Sequence, residues 1–596
     1  GKRGGPFHIV ITVGILLVLT LAGILISRIV GTTRPDDTDK IAHLTEELKE
    51  EDLDISADPT VSDDSGKTSR PENDHLGSAV IDHVLKAAAA VEEAYEKRPP
   101  EVQLTDSNRS DFVKIRDCLI DSETGQIRVD ITSEGIPRSD DKFYYLFALK
   151  SYDNTLSETD EYITRIYKDD ETSMSCALNV NSSISRLYQK FGVAVKENDT
   201  YSLISTPQYI TNPEVLAKHS GVYMNPSSKK GILIDYRKIN SGQLEDLGVS
   251  QAAINLHIGT LLGPSTNALY PTVYYTYNGK TYSFNYAIIA GFDNAIRDLT
   301  AKGISVTAIL LNPYSSSHIS LIHPSARSSG ACPYYMFNAA DQDGVETLAA
   351  VGSFLADRYS GSGYGRISNW VIANEINARK EWNYFPYTDV GTYTAAYADG
   401  FRIFYNAIRS TSSSARVYIS LDQQWNRDMK NNPDYDGKDV LDQFNSYISA
   451  HGNINWGLAF HPYNVPLTVC RTWASSKYVT HTATSSMISM QNIEVLINYM
   501  KQSQYLNRNG DVRSIMITEL GYTSSGNGTQ ELQAAAIAYA YYKVEHYADL
   551  DGLLLNRQTD DSTEIAQGLS TGVTTLSGAH KLSYDVYKYM DTDKME

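Results

Sequence analysis

The chain has 596 residues, of which 42% are hydrophobic and 21% charged, proportions that exclude a wholly disordered polymer and call for several folded units. A formal net charge of -19 repels phosphate backbones, so nucleic acid is not an expected partner and neutral ligands suit the chain better. Four cysteines without a CxxC pair exclude a disulfide scaffold and a structural zinc site.

In chain order, residues 7–30 hold the uncharged run from Ile9 to Ile26, close to the ~20 residues that a spanning helix needs. No convincing cleavage site follows it, so the run reads as an uncleaved anchor, with residues 1–6 on the cytoplasmic side and the body outside the cell. Residues 31–105, rich in Asp, Glu, Ser and Thr, read as an acidic stalk. From 106 to 225 the texture changes to short alternating runs, such as Gln126 to Ile131 and Lys142 to Leu146, separated by turn formers, and this predicts a β-sandwich. Its Cys118 and Cys176 are either a bridge between sheets or two buried thiols. Nothing in this domain has a catalytic pattern; it reads as a spacer or a carbohydrate-binding module.

From 226 to 596 apolar β-runs alternate with helical segments. The candidate strands are Ile232 to Tyr236, Ala253 to Ile258, Val306 to Leu311, Trp370 to Asn374, Val417 to Leu421, Trp456 to Phe460, Ile515 to Thr518 and Leu553 to Leu555. Eight such strands predict a (β/α)8 TIM barrel, with a doubly wound open sheet as the alternative. Two helical stripes, Ile288, Phe292, Ile296, Leu299 and Tyr393, Tyr397, Phe401, Phe404, Ile408, read as core faces. The loop from Gly259 to Phe284 carries a hairpin signal around Asn278-Gly279, the residue pair that a type I′ turn prefers. No cofactor or metal is expected. The histidines contain no HExxH, the glycines at 361, 363 and 365 precede a strand, and the acidic turn at Asp434 and Asp436 lacks an EF-hand glutamate.

Two acids stand at the ends of apolar strands: Glu375 on strand four and Glu519 on strand seven. A charge there is costly unless it is solvated or paired, and the two strands face each other across a barrel. Glycoside hydrolysis needs such a pair, one carboxyl attacking the sugar carbon and the other protonating the departing oxygen. Either glutamate taken alone reads more readily as half of a structural ion pair; it is the two together that point to catalysis.

With that pair and the strand count, residues 226–596 resemble the clan A glycoside hydrolases, retaining β/α-barrel enzymes that include cellulase-like, mannanase-like and β-galactosidase-like members. The resemblance implies Glu375 as acid/base, Asn374 beside it as a ligand of the sugar 2-hydroxyl, and Glu519 as nucleophile. It also implies that His461 and Tyr463, after strand six, lie near the nucleophile. More broadly, the chain resembles a bacterial family of membrane-attached barrel proteins with an N-terminal β-domain. It departs from the clan where a tryptophan commonly follows strand eight, here Asn556-Arg557-Gln558, and in the early arginine, for which Arg237 is the stand-in. Trp382 and Trp425, after strands four and five, are either sugar platforms or loop packing. Asn255 and His257 on strand two and Asp422 closing strand five bind hydroxyls or make buried hydrogen bonds. The expectation is a membrane-anchored extracellular retaining hydrolase of a neutral poly- or oligosaccharide, working by double displacement. The alternatives are a non-catalytic surface glycan-binding barrel and a transglycosylase.

Overall fold

A computed structural model describes residues 101–595 apart from 328–331, 362 and 429–433. The expected anchor at 7–30 and nearly all of the stalk lie outside the described residues. Among the described residues no helix is long and apolar enough to cross a membrane. The chain divides into two compact units.

The first unit contains two antiparallel sheets. One has the order β1-β2-β5, built from β1 (Val113–Ile120), β2 (Ile127–Ser133) and β5 (Glu171–Cys176). The other has the order β4-β3-β6-β7, from β3 (Phe143–Leu149), β4 (Thr164–Tyr167), β6 (Lys190–Glu197) and β7 (Thr200–Leu203), with β8 (Gln208–Tyr209) also paired to β6. Alternation along β3 puts Tyr145, Phe147 and Leu149 into one apolar cluster with Ala194, under Tyr162 and Tyr201. Cys118 and Cys176 belong to the same three-stranded sheet, on either side of β2, so they do not tie the two sheets together.

The second unit is a closed barrel of eight parallel strands. They are β9 (Lys230–Leu233), β10 (Gln251–His257), β13 (Ser305–Leu311), β14 (Ile367–Ile372), β15 (Arg416–Asp422), β16 (Gly457–His461), β17 (Ile515–Leu520) and β18 (Leu550–Leu555). Closure is direct, because Leu553 and Leu555 of β18 pair with Lys230 and Ile232 of β9, and the open-sheet alternative is thereby overturned. One residue in two points inward: Ala253, Ile309, Leu311, Val371, Tyr418, Ala459, Met516 and Leu554 form the plug that fills the barrel. The first strand stops at Leu233, earlier than the reading to Tyr236, because Asp235 accepts the backbone N–H of Arg237 and starts a 3-10 turn. After that turn, a single α-helix of four residues, Gln243–Asp246, leads to β10.

Between β10 and β13 the chain forms the hairpin β11 (Thr272–Tyr277) and β12 (Lys280–Asn285). Positive φ at both Asn278 and Gly279 is what a type I′ turn requires. The helix Tyr286–Ala301 buries Ile289, Asp293, Ala295, Ile296 and Leu299, so its inner stripe is rotated from the one expected and Ile288 faces outward. The buried Asp293 explains the rotation: it takes two hydrogen bonds from Arg358, at 2.7 and 2.6 Å, and one from Tyr359. The helix Val390–Arg409 buries the full stripe from Tyr393 to Ile408.

Two of those tyrosines use their hydroxyls as well as their rings. Tyr397 donates to the carbonyl of Ile372 at 2.7 Å, and Tyr393 to that of Ile376 at 2.6 Å. Buried backbone carbonyls need donors, and these two lie on either side of Asn374 and Glu375. The chain contains 42 tyrosines against 14 phenylalanines, and at these positions the extra oxygen is an internal clamp rather than a sugar contact.

Candidate active site

The site is built at the carboxyl ends of β14, β16, β17 and β18. After Ile372 the backbone leaves the ladder in a strained bend, with φ of 62° at Ala373 and 37° at Glu375. Left-handed geometry at residues other than glycine persists only where neighbours hold it. Here the end of β15 does so: Ser420 accepts the backbone N–H of Glu375 on its hydroxyl and that of Ile376 on its carbonyl, both at 3.0 Å. Asn377 and Asp422 then lock the loop to the same strand by a reciprocal pair of hydrogen bonds, at 2.5 and 3.0 Å.

His461, the last residue of β16, joins the two glutamates. Its Nδ1 is 2.7 Å from Glu375 Oε1 and 3.9 Å from Glu519 Oε2, while its Nε2 lies 2.9 Å from Thr518 Oγ1. Laid end to end, the first two distances keep the facing carboxylate oxygens at most about 6.6 Å apart. That bound admits the ~5 Å of a retaining pair and lies below most of the ~6.5–9.5 Å of an inverting pair. The Tyr463 hydroxyl donates to Glu519 Oε1 at 2.9 Å. Glu519 keeps 34% of its side-chain surface open to the mouth, against 13% for Glu375 and 2% for His461.

Electrostatics follow from this crowding of acids. Burial pushes the Glu519 carboxyl above the ordinary glutamate range, and Glu375 and Glu564 add to the rise, while His461 and the Tyr463 hydroxyl pull it back. Burial by itself lowers His461, but the hydrogen bond to Glu375 and the charges of Glu519, Glu375 and Asp422 outweigh it and raise the imidazole. Asp422, buried and facing Glu375, is pushed up to about 7.

The other expected site residues divide. Asn374 is buried beside Glu375 at 5% exposure, and no side-chain hydrogen bond joins it to the described residues, so its amide is available to a ligand. Asn255 lies on the inward face of β10 yet is exposed, which puts an open amide within the barrel mouth. Next along that face, His257 shares a hydrogen bond of 3.1 Å with the Tyr334 hydroxyl. Its ring lies parallel to that of Tyr334, which in turn stacks on Trp382 with centroids 5.2 Å apart. Trp382 and Tyr334 pack on the barrel plug, so these rings form a partly exposed parallel stack at the mouth. Burial lowers His257, keeping that stack neutral.

Two candidates are corrected. Trp425 is fully buried, edge-on to Tyr499, with its indole N–H donated to the Ala483 carbonyl; it is loop core and no platform. Arg237 is spent on a local ion pair with Asp235, its side chain 79% exposed, so it does not replace the clan's arginine. Cys470, on the loop after β16, forms no disulfide, and its thiol donates to the Thr523 carbonyl at 2.6 Å.

Residues that reading missed include Thr518, Ser420, Asn377 and Tyr334, together with a group after β18. Asn556 Nδ2 donates to the Tyr463 hydroxyl oxygen at 3.2 Å and points to Glu564 Oε1 at 3.5 Å. Behind them, Lys581 and Asp560 form an ion pair of 2.7 Å with both side chains no more than 4% exposed. Lys581 also reaches Ser524 after β17 and Ser570 after β18, tying together the two loops that flank Glu519. A separate cavity of about 730 Å³ opens at the amino ends of the strands, lined by Lys229, Gln251, Arg416 and Asp551. It is remote from the carboxylates, and its cations are already engaged, Lys229 by two carbonyls and Arg416 by Asp551.

A family model described as "Family of unknown function (DUF5722)" matches residues 222–596. The chain belongs to this family. The DUF5722 region contains the whole barrel and every residue of the site. No curated protein matches the chain. Among solved structures, the chain is similar to a family 39 glycoside hydrolase from the gut symbiont Bacteroides cellulosilyticus, at 12% identity over 76% of this chain and 78% of that one, with a TM-score of 0.42. It is also similar to the β-glycosidase of the hyperthermophile Thermosphaera aggregans, at 14% identity over 59% and 85% of the two chains and a TM-score of 0.39. A third is β-glucuronidase 2 of Bacteroides uniformis, at 9% identity over 82% and 51%, with a TM-score of 0.37.

Proposed function

We propose that this DUF5722 protein is a retaining glycoside hydrolase in which Glu519 attacks the anomeric carbon and Glu375 protonates the departing oxygen. One observation carries the reading: His461 contacts both carboxylates at once, which brings two acids from distant parts of the chain within a separation that admits double displacement. Glu519 keeps the more open side chain, as an attacking group needs, and Tyr463 donates to it where negative charge must rest. Glu375 and His461 share a proton 2.7 Å from heavy atom to heavy atom, a store from which the departing oxygen draws and to which the second step's water returns it.

The neutral ring stack of His257, Tyr334 and Trp382 supports a sugar without charge, and the one arginine after β18, Arg557, is already paired with Glu564 and Asp561. Digestion of a panel of neutral and uronic-acid glycans, with the anomer of the first product followed by NMR, tests the reading. Release of a retained anomer from a neutral glycan is expected; an inverted anomer overturns the mechanism and cleavage confined to uronates overturns the substrate class. Binding without release would instead mark a glycan-binding barrel, and products longer than the substrate a transglycosylase.

Two further results follow. Since the nucleophile must be ionised and its carboxyl is raised, the acid limb of kcat/KM is expected above the ordinary glutamate value of about 4.3; full activity persisting below that pH would contradict this. Trp382→Ala is expected to raise KM roughly three- to tenfold with a smaller change in kcat, and an unchanged KM would remove Trp382 from the sugar site. With this reading goes placement of the barrel outside the cell on an anchor at 7–30, which protease added to intact cells would test by releasing it.

A further inference from the structure

The residues after β18 stand where a stacking ring was expected, and they are organised toward the nucleophile. Asn556 is 8% exposed. Its backbone N–H donates to the Leu520 carbonyl at 2.7 Å, and its own carbonyl lies where a Cβ on Gly521 would come within 2.3 Å. That close approach, open only to glycine, fixes the Asn556 side chain beside the Glu519 loop. Its Oδ1 is buried without a hydrogen-bond partner, so the contacts of the amide are made through its other end.

The other end is the NH2 group, and its direction is set by Glu564. That carboxylate is an acceptor only. It is anchored by the Thr571 hydroxyl at 2.5 Å and Arg557 at 3.3 Å, and it faces Asn556 Nδ2 at 3.5 Å. Turning the amide over would set its oxygen against the carboxylate, so Glu564 selects the orientation in which Nδ2 also meets the Tyr463 hydroxyl oxygen at 3.2 Å. A tyrosine hydroxyl has one proton. With its oxygen already accepting from Asn556, the proton is left for Glu519 Oε1, 2.9 Å away.

We propose that Asn556, oriented by Glu564, is a positioning residue for the nucleophile: it commits the Tyr463 hydroxyl proton to Glu519 and so steadies the carboxylate in its ionised form. The name nucleophile rests on the functional reading above, but the relay itself does not need it. The charged and titratable groups that face Glu519 are His461 and Tyr463 from β16 and its loop, Glu375 from beyond β14, and Glu564 after β18. Removing the amide leaves all four in place, so its effect reports the hydroxyl's direction and not a change of charge.

The test is the titration of Glu519 itself, followed by NMR in the full chain with 13C-labelled glutamate carboxyls and assigned by its loss in Glu519→Gln. Asn556→Ala and Tyr463→Phe are each expected to raise the Glu519 midpoint by roughly half a pH unit or more. The double variant is expected to raise it no further than Tyr463→Phe alone, because Asn556 has nothing left to act through. A wild-type midpoint in Asn556→Ala, or additive shifts in the double variant, would overturn the proposal. Should Asn556→Ala fail to fold, Asn556→Leu fills the same space without a donor and carries the same expectation. A chain that titrates as described but hydrolyses no glycan would count against the functional reading alone.

Discussion

Glu519→Ala is expected to lose roughly 10⁴-fold or more of kcat/KM, the scale seen when a nucleophile is removed from a preorganised site. The fold should survive, because the residue removed is a strand-end acid with an open side chain and the apolar plug beneath it is untouched. The raised Glu519 carboxyl also means that its ionised form is costly to hold, so thermal stability near neutral pH should stay level or rise. In the shortened variant a small anion such as azide has room to attack the sugar carbon, and turnover of an activated glycoside is expected to return in part with the opposite anomer. Activity close to wild type in Glu519→Ala would end the assignment.

The second large effect concerns stability. Lys581→Met is expected to remove about 3–5 kcal/mol, since it leaves Asp560 charged, buried and unpaired. In a unit of this size that is a fall in melting temperature of roughly 4–6 °C. Asp560 would still accept from the Ser570 hydroxyl and the Gly572 N–H, but neither cancels its charge. Replacing both partners, as in Lys581→Met with Asp560→Leu, is expected to cost less than the single change, because no unpaired charge remains. Calorimetry of the two variants decides this: equal melting temperatures for wild type and Lys581→Met would show that the pair holds nothing together. The same substitution should lower kcat as well, as Lys581 ties Ser524 and Ser570 on either side of Glu519, the proposed nucleophile.

The barrel was legible because each strand is an apolar run bounded by turn formers, and because burial on both faces, as along Ser305–Leu311, leaves little polar interruption. Glu375 and Glu519 stood out for the reverse reason, as single charges at the ends of such runs. The strand before Glu375 was read to begin three residues and to end two residues too late, the end because Ala373 and Asn374 have ordinary strand chemistry and only the strained φ of Ala373 and Glu375 reveals the bend. Trp425 misled because a tryptophan after a strand looks the same whether a sugar or the chain covers it; here residues 483–486 fold back over it. Arg237 was neutralised by a residue two places away. Asn556 stood out only as a departure from the clan and Glu564 gave no signal, both being ordinary polar loop residues whose meaning comes from where barrel closure places Tyr463.

The clamps made by Tyr393 and Tyr397 carry a consequence for how this barrel tolerates change. Each links the outer helix to the chain through a single oxygen atom, one on each side of Glu375, the proposed acid. The helix therefore works as a jig: any slide along its axis would carry Glu375 off target before it disturbed the packing. A version with phenylalanine at both places would keep its hydrophobic rings but leave two buried carbonyls without their tyrosine donors, at about 1–3 kcal/mol each, so damage on the outer shell of this protein would lower its melting curve and loosen the hold on Glu375 together.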